Sequence, residues 1–299
     1  MTDFKELGFD DREIFLRYLG NYDFNTYEYT FLTLYIWRKM LNVKFSFIDE
    51  VLIIKKSTPK TGTYFMQPAG YKKENLEDIV LKLDSIRKGE EKSSSLFRDI
   101  ETPFLHELLN LFPSRISYCE DKDNFDYIYK CEDLAALTGK KFHRKKNQYN
   151  QFISSYVHEV EDINDEGVIE DCIDISRKWF AERGQDDSLL KFEMESIEEV
   201  LPRAGLLGMI GVAVYIDGKI AGFTAGEKAN ESMGIIHFQK ADPSYSGIYE
   251  FMNKTFVEKC LSGVELVNMQ EDMGIKGLRK AKSAYNPVKL EKKYIVDLL

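Results

Sequence analysis

Residues 233–287 constrain the fold of this chain more than any other stretch. Apolar runs typical of buried strands cover residues 233–240 and 264–268, and a helical pattern lies between them. A strand, a helix and a strand in this order build two parallel strands joined by a crossover helix. Ligands of open α/β sheets bind beyond the carboxyl ends of such strands. Polar residues 239–242 and 268–272 follow these ends, so the sequence predicts a site there.

The order of the predicted elements indicates two α/β domains. The second half predicts helix, helix, hairpin, strand, helix, strand, helix and a last strand at 288–296, which is the order of a GNAT-type acyltransferase domain. The first half predicts a rougher version of that order. We therefore predict two tandem GNAT-like domains with mixed sheets flanked by helices. The first, at 1–130, is degenerate, and the second, at 131–299, carries the site.

Charge and cysteine usage narrow the class of protein. The formal net charge of −9 argues against a protein that coats nucleic acid non-specifically, although it leaves room for a local basic groove. The four cysteines lack CxxC spacing, which disfavours a zinc site or a disulfide framework and suits a reducing compartment. We expect no metal site. The cysteines are Cys119, Cys131, Cys172 and Cys260.

The N-terminal residues and the longest apolar run predict neither a signal peptide nor a membrane-spanning helix. The first fifteen residues are acidic and lack the apolar core of a signal peptide. The longest apolar run, 206–216, is too short to cross a bilayer. We expect a cytoplasmic protein that at most lies on a membrane surface, and its oligomeric state stays open.

A dense basic segment, residues 139–153, lies between the predicted domains. Its apolar residues fall on one helical stripe, which predicts burial of Phe142, Tyr149, Phe152, Ile153 and Tyr156. Its first turns carry a cluster of cations that includes Lys140, Lys141, Arg144 and Lys145. One interpretation is a clamp on the phosphates of a tRNA acceptor end. The alternative is a solvated helix face, which charge runs usually are.

Three segments of the chain resemble the family of unknown function DUF2156. They are Asp126-Tyr-Ile-Tyr129, residues 133–147, and residues 271–287. That family is grouped with the C-terminal domain of phosphatidylglycerol lysyltransferases. The resemblance implies two GNAT-like domains in tandem, as in the Fem peptidoglycan aminoacyltransferases, which move an amino acid from aminoacyl-tRNA to an amine or a lipid hydroxyl. The lipid synthetases carry a transmembrane domain, and this sequence departs from them there.

The last helix of these relatives follows the pattern Gly-Leu-x-x-x-Lys-x-x-aromatic-x-Pro. Gly277-Leu278, Lys282, Tyr285 and Pro287 match it, and Asn268 matches the upstream strand that ends in Asp or Asn.

Lys282 stands out on its helix. At 100° per residue it falls in the middle of an apolar face formed by Ile275, Leu278, Ala281 and Tyr285. A lysine on such a face needs a partner or a purpose. It binds the carbonyl or phosphate of a donor or steadies an oxyanion, or else it forms a structural ion pair or reaches solvent. Arg279, on the same helix, is a candidate substrate-binding residue.

Glu193 also interrupts an apolar face. It either pairs with a buried cation such as Lys282, binds an amino group of the substrate, or reaches solvent from the helix end. The second strand of the hairpin ends near Glu227, which is placed to deprotonate an amine nucleophile. Glu271 and Asp272 follow the next strand, and each is a candidate general base or a cap for the helix from Gly274.

Strand 233–240 presents further candidates for substrate binding. His237 and Gln239 share one side of the strand, where a histidine serves either as a core residue or as a ligand. Lys240 and Asp242 lie at its carboxyl end, and Asn268 ends the neighbouring strand. The turn before the next helix contains Gly247, whose surroundings suit an anion. Acyl-CoA-binding GNAT proteins show Gln/Arg-x-x-Gly-x-Gly/Ala at this turn, and Gly247 matches only part of that pattern.

Two functions fit these residues. The first is an aminoacyl or acyl transferase that uses aminoacyl-tRNA or acyl-CoA as co-substrate and a small-molecule, peptide or lipid-headgroup acceptor. Such chemistry needs proximity, a base and oxyanion stabilisation rather than a covalent intermediate. The second is a non-catalytic binding protein that keeps the fold and a ligand cleft. An acyl-CoA-dependent N-acetyltransferase is a further alternative.

Overall fold

The computed structural model describes residues 3–90, 93–183 and 187–299. The chain divides into two compact units, one formed by residues 1–125 and 291–299 and the other by residues 126–290. Each unit is built on a seven-stranded mixed sheet flanked by helices. The predicted fold class, two α/β units in tandem with mixed sheets flanked by helices, is confirmed.

The first unit begins with a short strand and two helices that precede a meander of antiparallel strands. Its elements are β1 (Lys5–Glu6), α1 (Arg12–Leu19), α2 (Phe31–Trp37), β2 (Lys44–Ile48), β3 (Val51–Thr58), β4 (Gly62–Phe65), α3 (Lys73–Lys88), β5 (Ser93–Ile100), α4 (Thr102–Leu111) and β6 (Ile116–Glu120). Asp49 and Glu50 both have positive φ, which matches the twist that a two-residue hairpin loop needs. The apolar runs 43–48 and 51–54 on either side of Asp49-Glu50 predict such a hairpin from the sequence, and the antiparallel pairing of β2 with β3 confirms it.

The second unit holds the segment with which the sequence analysis began. Its elements are β7 (Asp126–Lys130), α5 (Cys131–Ala136), α6 (His143–Ser155), β8 (His158–Asp162), α7 (Val168–Arg183), α8 (Ser188–Val200), α9 (Ala204–Leu207), β9 (Ile210–Ile216), β10 (Lys219–Lys228), β11 (Met233–Ala241), α10 (Ile248–Cys260), β12 (Leu266–Asn268), α11 (Lys276–Ser283) and β13 (Lys289–Glu291). The strand order is β13-β7-β12-β11-β10-β9-β8. β11 and β12 form the predicted parallel pair, with α10 as their crossover.

The predicted last strand at 288–296 is wrong. The structure has two strands there, β13 in the second sheet and β14 (Tyr294–Leu298) in the first. β14 lies between β5 and β6, so the end of the chain returns to the first unit instead of completing the second domain. Tyr294, Val296 and Leu298 are buried in alternation, which fits one face of that core. Conversely, β7 pairs with β12 although its sequence adjoins the first unit.

Two local predictions also need correction. The apolar run that starts at residue 206 predicts that the first strand of the hairpin in the second unit covers 206–215, but β9 begins at Ile210, because residues 204–207 form the short helix α9. In the basic segment Phe142, just before α6, and Phe152, on α6, are buried as predicted, but Ile153 is exposed and the two tyrosines Tyr149 and Tyr156 are half buried. In the part of the chain that the structure describes, no helix has the length and apolar character required to cross a bilayer.

Candidate functional site

β11 and β12 separate at the point where the sequence predicts a site. Their parallel register covers only Met233–Ile235 against Leu266–Asn268, and β11 then continues to Ala241. On its other side β11 stays paired with β10, apart from an irregularity where Ala225 pairs with Phe238 and Gly226 with Ile236. That irregularity leaves His237 as the extra residue of a bulge. Bulges re-aim side chains, and this one lies at the separation of the two strands.

His237 and Glu227 form a close pair at this bulge. The Nε2 atom of His237 lies 2.9 Å from Oε1 of Glu227, and both side chains are largely buried. Gln270, just after β12, donates its amide to the carbonyl of Ile236 at 2.8 Å and approaches Nδ1 of His237 at 3.5 Å. Because an ionised carboxylate can only accept, the ring nitrogen Nε2 is the donor in this pair when Glu227 is ionised. Carboxylate, imidazole and amide thus meet where the strands separate.

Lys240, near the end of β11, forms an ion pair with Glu193 of α8. Its Nζ atom lies 2.6 Å from Oε2 of Glu193 and 4.0 Å from the ring centre of Trp179 on α7. The predicted pair of Glu193 with a buried cation is therefore present, but the cation is Lys240 and not Lys282. The carboxylate and the indole ring hold the ammonium from two sides, which fixes both helices against β11.

The predicted position of Lys282 on a buried apolar face is wrong. None of the residues of α11 is buried, and Ile275, which precedes the helix, is half exposed. The half-buried ammonium of Lys282 donates to the backbone carbonyls of Met269 and Glu271. Lys282 therefore reaches the loop after β12, as its predicted place near the strand ends implies, and it supports the backbone on both sides of Gln270.

Asp272 is tied down by several donors. It accepts hydrogen bonds from the guanidinium of Arg279 through both carboxylate oxygens, from the hydroxyl of Tyr127 at 2.6 Å, and from the backbone amide of Gly274. The bonds from Arg279 are the main reason why its pKa falls to about 2, with Tyr127 adding to the effect. A carboxylate held in this way takes up a proton poorly at neutral pH, which opposes a role as general base. Its bond to Gly274 fits the alternative prediction, a cap for the turn before α11.

Other predicted residues brace the ends of the strands. Asn268 is fully buried and donates to Asp126 at the start of β7. Gln239 donates to Thr224 on β10 and to Asn253 on α10.

Asp242 begins the turn that follows β11. It accepts a hydrogen bond from the backbone amide of Ser244. Hydrogen bonding from the Ser244 side chain is the main cause that lowers the pKa of Asp242, and Lys178 lies 3.9 Å away. These contacts give Asn268, Gln239 and Asp242 clear structural roles at the edge of the candidate site.

Gly247 serves the packing of two helices. It has a φ of +84°, and a Cβ atom there would lie 2.1 Å from the carbonyl oxygen of Gln148 on α6. Only glycine allows this approach of α6 to the start of α10. The backbone amide of Ser246, next to it, donates to the hydroxyl of Tyr156. The glycine therefore needs no bound anion to explain it, contrary to the interpretation of this turn as an anion site.

The basic segment splits into paired and exposed cations. Lys145 is largely buried, lies 2.8 Å from Glu250 and covers the ring of Tyr285. Lys141 pairs with Asp133 at 2.8 Å. Lys140 and Arg144 are exposed, and so is Lys146, the fifth cation of the same segment.

Gln270 and Trp179 are site residues for which the sequence analysis predicts no role. The only signal for Gln270 is its position two residues beyond a buried strand, which many loop residues share. Trp179 lies on the amphipathic face predicted for α7, where an aromatic residue is ordinarily core. Their contacts depend on the bulge in β11 and on the packing of α7, which local sequence does not encode.

The chain matches a family model over most of its length. The family is described as phosphatidylglycerol lysyltransferase, C-terminal, and the match covers residues 20–297. Among curated proteins, an uncharacterised protein of Mycoplasmoides gallisepticum is 23% identical over 175 residues, which are 58% of this chain. The aligned region spans 56% of that relative, little more than half its length.

Two solved structures share the fold over nearly the whole chain. A conserved protein of unknown function from Bacteroides thetaiotaomicron is 29% identical with a TM-score of 0.91, and the alignment covers 100% of both chains. The second is the C-terminal DUF2156 domain of an Agrobacterium fabrum protein described as a lysylphosphatidylglycerol synthetase. It is 14% identical with a TM-score of 0.67, covering 96% of this chain and 91% of that one.

Proposed function

Because this chain belongs to the family of the phosphatidylglycerol lysyltransferase C-terminal domain, we propose that its second unit is an aminoacyl transferase. The donor is an aminoacyl ester of tRNA and the acceptor is an amine or a hydroxyl. The observation that carries the proposal is the Glu227–His237 pair beside Gln270, where β11 and β12 separate.

In this proposal Glu227 is the base and His237 positions it. The acceptor attacks the ester carbonyl while Glu227 takes its proton, so that a carbon–nitrogen or carbon–oxygen bond forms. The tetrahedral intermediate then collapses, the carbon–oxygen bond to the ribose breaks, and the proton passes to the departing ribose oxygen. His237 donates Nε2–H to Glu227 and holds its carboxylate in one orientation. The reaction balances without a cofactor.

Lys282 supports this site through the backbone. Its bonds to the carbonyls of Met269 and Glu271 fix the loop that carries Gln270. We assign it a positioning role, since its ammonium is engaged by the protein itself. Lys140 and Arg144, two exposed members of the basic segment, are proposed to contact phosphates of the tRNA acceptor end.

The test is a transfer assay with labelled aminoacyl-tRNAs and a panel of amine and hydroxyl acceptors, including lipid headgroups. We expect Glu227→Gln to lower the rate by a factor of about 10²–10⁴, the usual contribution of a general base. Glu231→Gln, at an exposed carboxylate, is the matched control and should leave the rate unchanged. The proposal would be contradicted if none of the aminoacyl-tRNAs in the panel lost its amino acid.

Parallel reactions with acyl-CoA thioesters separate the alternatives. Turnover of a thioester but of no aminoacyl-tRNA would replace the donor and favour an N-acyltransferase. Ligand-induced stabilisation without any turnover would favour a non-catalytic binding protein.

A binding measurement tests the tRNA contact. Lys140→Ala with Arg144→Ala should weaken tRNA binding, and the slope of log affinity against log salt concentration should fall by about one per lost phosphate contact. If the salt dependence of tRNA binding is unchanged in this variant, Lys140 and Arg144 do not contact the donor.

A further inference from the structure

The edge strand β6 has little protection against pairing with another chain. β14 covers one of its sides, and among the residues that the structure describes no strand pairs with the other side. Native proteins protect such edges with very short strands or with charged side chains. The other edge strands follow this rule, because β1 has two residues, β13 has three and β8 carries three acids. β6 is five residues long, and its first four residues are uncharged.

The backbone of β6 presents regularly spaced hydrogen-bonding groups along this open side. The carbonyl of Arg115 and the amide of Asp121, at the two ends of the strand, bond to the backbone of the segment that contains β14. Backbone polar groups alternate in direction along an antiparallel strand. Ile116, Tyr118 and Glu120 therefore direct their N–H and C=O groups away from β14, toward the open side.

A large aromatic residue lies at the middle of the strand. Tyr118 pairs in register with Val296, a residue of the first unit's core, so its side chain is on the core face of the sheet. Tyr118 is nevertheless 51% exposed, because β6 is the last strand of that sheet. A further strand would continue the core face and cover part of the ring.

We propose that β6 pairs with β6 of a second copy of this chain, antiparallel about Tyr118, in a dimer with twofold symmetry. Symmetry places Tyr118 opposite its counterpart, and the two residues exchange hydrogen bonds because both direct their backbone groups outward. Ile116 and Glu120 do the same with Glu120 and Ile116 of the second copy. The proposal goes beyond the transferase activity and does not depend on it.

The charges at the ends of β6 favour a second copy over an unrelated strand. In this register Arg115 falls opposite Asp121 of the other chain, twice by symmetry, and no like charges face each other from 115 to 121. An unrelated strand could form the same hydrogen bonds but would not supply this reciprocal match. A ladder of five residues is small for a stable interface, so we expect a dimer that dissociates on dilution.

The first experiment measures the association of the full chain by sedimentation over a range of concentrations. We expect a monomer at low concentration and a dimer at high concentration, with no larger species, since the pairing uses up both edges. Tyr118→Lys places two like charges at the centre of the interface and should raise the dissociation constant by about tenfold or more. Leu290→Lys is the matched control, on edge strand β13 at 44% exposure, and should change nothing. Equal melting temperatures verify that both variants fold.

A disulfide reads the register of the pairing. Ser117 falls opposite Cys119 of the second copy at a pair that exchanges no hydrogen bonds, where the Cα atoms lie about 4.5 Å apart, a distance that allows a disulfide. Identical positions are diagonal neighbours about 7–8 Å apart, outside the usual Cα range. The double variant Ser117→Cys with Cys119→Ser should therefore form no covalent dimer alone, nor should the unchanged chain, whereas their equimolar mixture should after oxidation.

The mixture also controls for the remaining thiols. Cys131 and Cys172 are buried and Cys260 is half buried, and all three are present in both chains. A bond formed through them would appear in the unmixed samples as well. A non-reducing gel of the three samples gives the result.

Four outcomes would overturn the proposal. A monomer at every concentration would show that the edge does not pair with itself, and growth beyond a dimer would show a contact that does not close. Equal association of the Tyr118→Lys variant would place the interface elsewhere. Covalent dimers in an unmixed sample but no increase in the mixture would contradict the register. None of these results depends on the transfer assay, so the two proposals fail separately.

Discussion

In the first unit β4 and β5 run parallel at the centre of the sheet, and in the second unit β11 and β12 do the same. The carboxyl ends of the two pairs differ in what lies across them. In the first unit the hydroxyl of Tyr29 donates to the carbonyl of Asp99 and accepts from the amide of Gln67, so a buried aromatic residue bridges the two strand ends. In the second unit the bridging residue is Gln270, which comes from the adjacent loop and is only half buried.

The ion pairs beside the two parallel strand pairs also differ between the units. In the first unit Lys56 lies 2.9 Å from Asp99, and Lys293 donates to Glu28, all within the interior. Each of these pairs joins a lysine to a carboxylate. In the second unit the pair is Glu227 and His237, with an imidazole in place of the ammonium. The two units therefore place different side-chain chemistry beside their parallel strands, two lysine–carboxylate pairs in the first and a carboxylate–imidazole pair in the second.

The largest effect should follow from removing a lysine of the first interior. Lys56→Met keeps the bulk of the side chain but leaves Asp99 without this ammonium, which should lower the free energy of unfolding by about 3–5 kcal/mol. Lys82→Met is the control, because Lys82 pairs with Asp49 on the surface and such pairs contribute about 0–1 kcal/mol. Urea denaturation of both variants measures the difference. Similar losses would show that burial does not distinguish these pairs.

A smaller effect is expected in the second unit. Lys240→Met removes the bond to Glu193 and the contact with Trp179. The Lys240 side chain is 8% exposed, whereas that of Lys56 is 1% exposed, so this pair is the less deeply buried of the two. We expect a loss of about 2 kcal/mol, the scale of a hydrogen bond between charged groups. The same denaturation series measures it. A loss of stability as large as that of Lys56→Met would show that the Lys240–Glu193 pair contributes as much as the Lys56–Asp99 pair, which would contradict the expected difference between the two units.

The smallest effects concern the acid side of the stability profile. The pKa of Asp272 is lowered in the folded state to about 2. The ionised carboxylate therefore contributes its full share to the free energy of unfolding above the unfolded pKa, and this share is lost as pH falls from the unfolded pKa through the folded pKa. We expect Asp272 to contribute about 1–2 kcal/mol to the free energy of unfolding, a figure reduced for solvent screening because its partner Arg279 is half exposed. Asp272→Asn should abolish this acid limb when unfolding is measured against pH. A limb that persists in the variant would exclude Asp272 as its source.

Glu101 in the first unit should act with the opposite sign. Burial raises its pKa, and the amides of Thr26 and Asn25 offset only part of that rise. Because the folded state then binds its proton more tightly than the unfolded state, this group favours folding at low pH, and that contribution is lost as pH rises through the folded pKa. Glu101→Gln should therefore flatten the profile in this range, in contrast to Asp272→Asn. A change of the same sign in both variants would contradict the assignment.

Much of the second unit follows from local pattern. The alternation of apolar residues predicts β10, β11 and α10 closely, and the parallel pair with its polar ends follows from their order. The pattern on α11 misled the analysis. A short helix of eight residues with apolar positions looks amphipathic in sequence. In the structure Ile275 and Ala281 are exposed, Leu278 is half buried and only Tyr285 of that face is buried, while Lys282 donates to backbone carbonyls. Helical periodicity shows which residues share a face and does not show whether another element covers that face.

The sequence alone determined the class of fold, the hairpins, and the position of the candidate site beyond β11 and β12. These features depend on contacts between near neighbours in the chain and on the alternation that a strand or helix imposes. Only the tertiary structure decided that β14 returns to the first sheet, that Glu193 pairs with Lys240, and that the bulge in β11 turns His237 toward Glu227. Each of these joins elements far apart along the chain, and the choice among many chemically similar partners is made by packing, which no local pattern records.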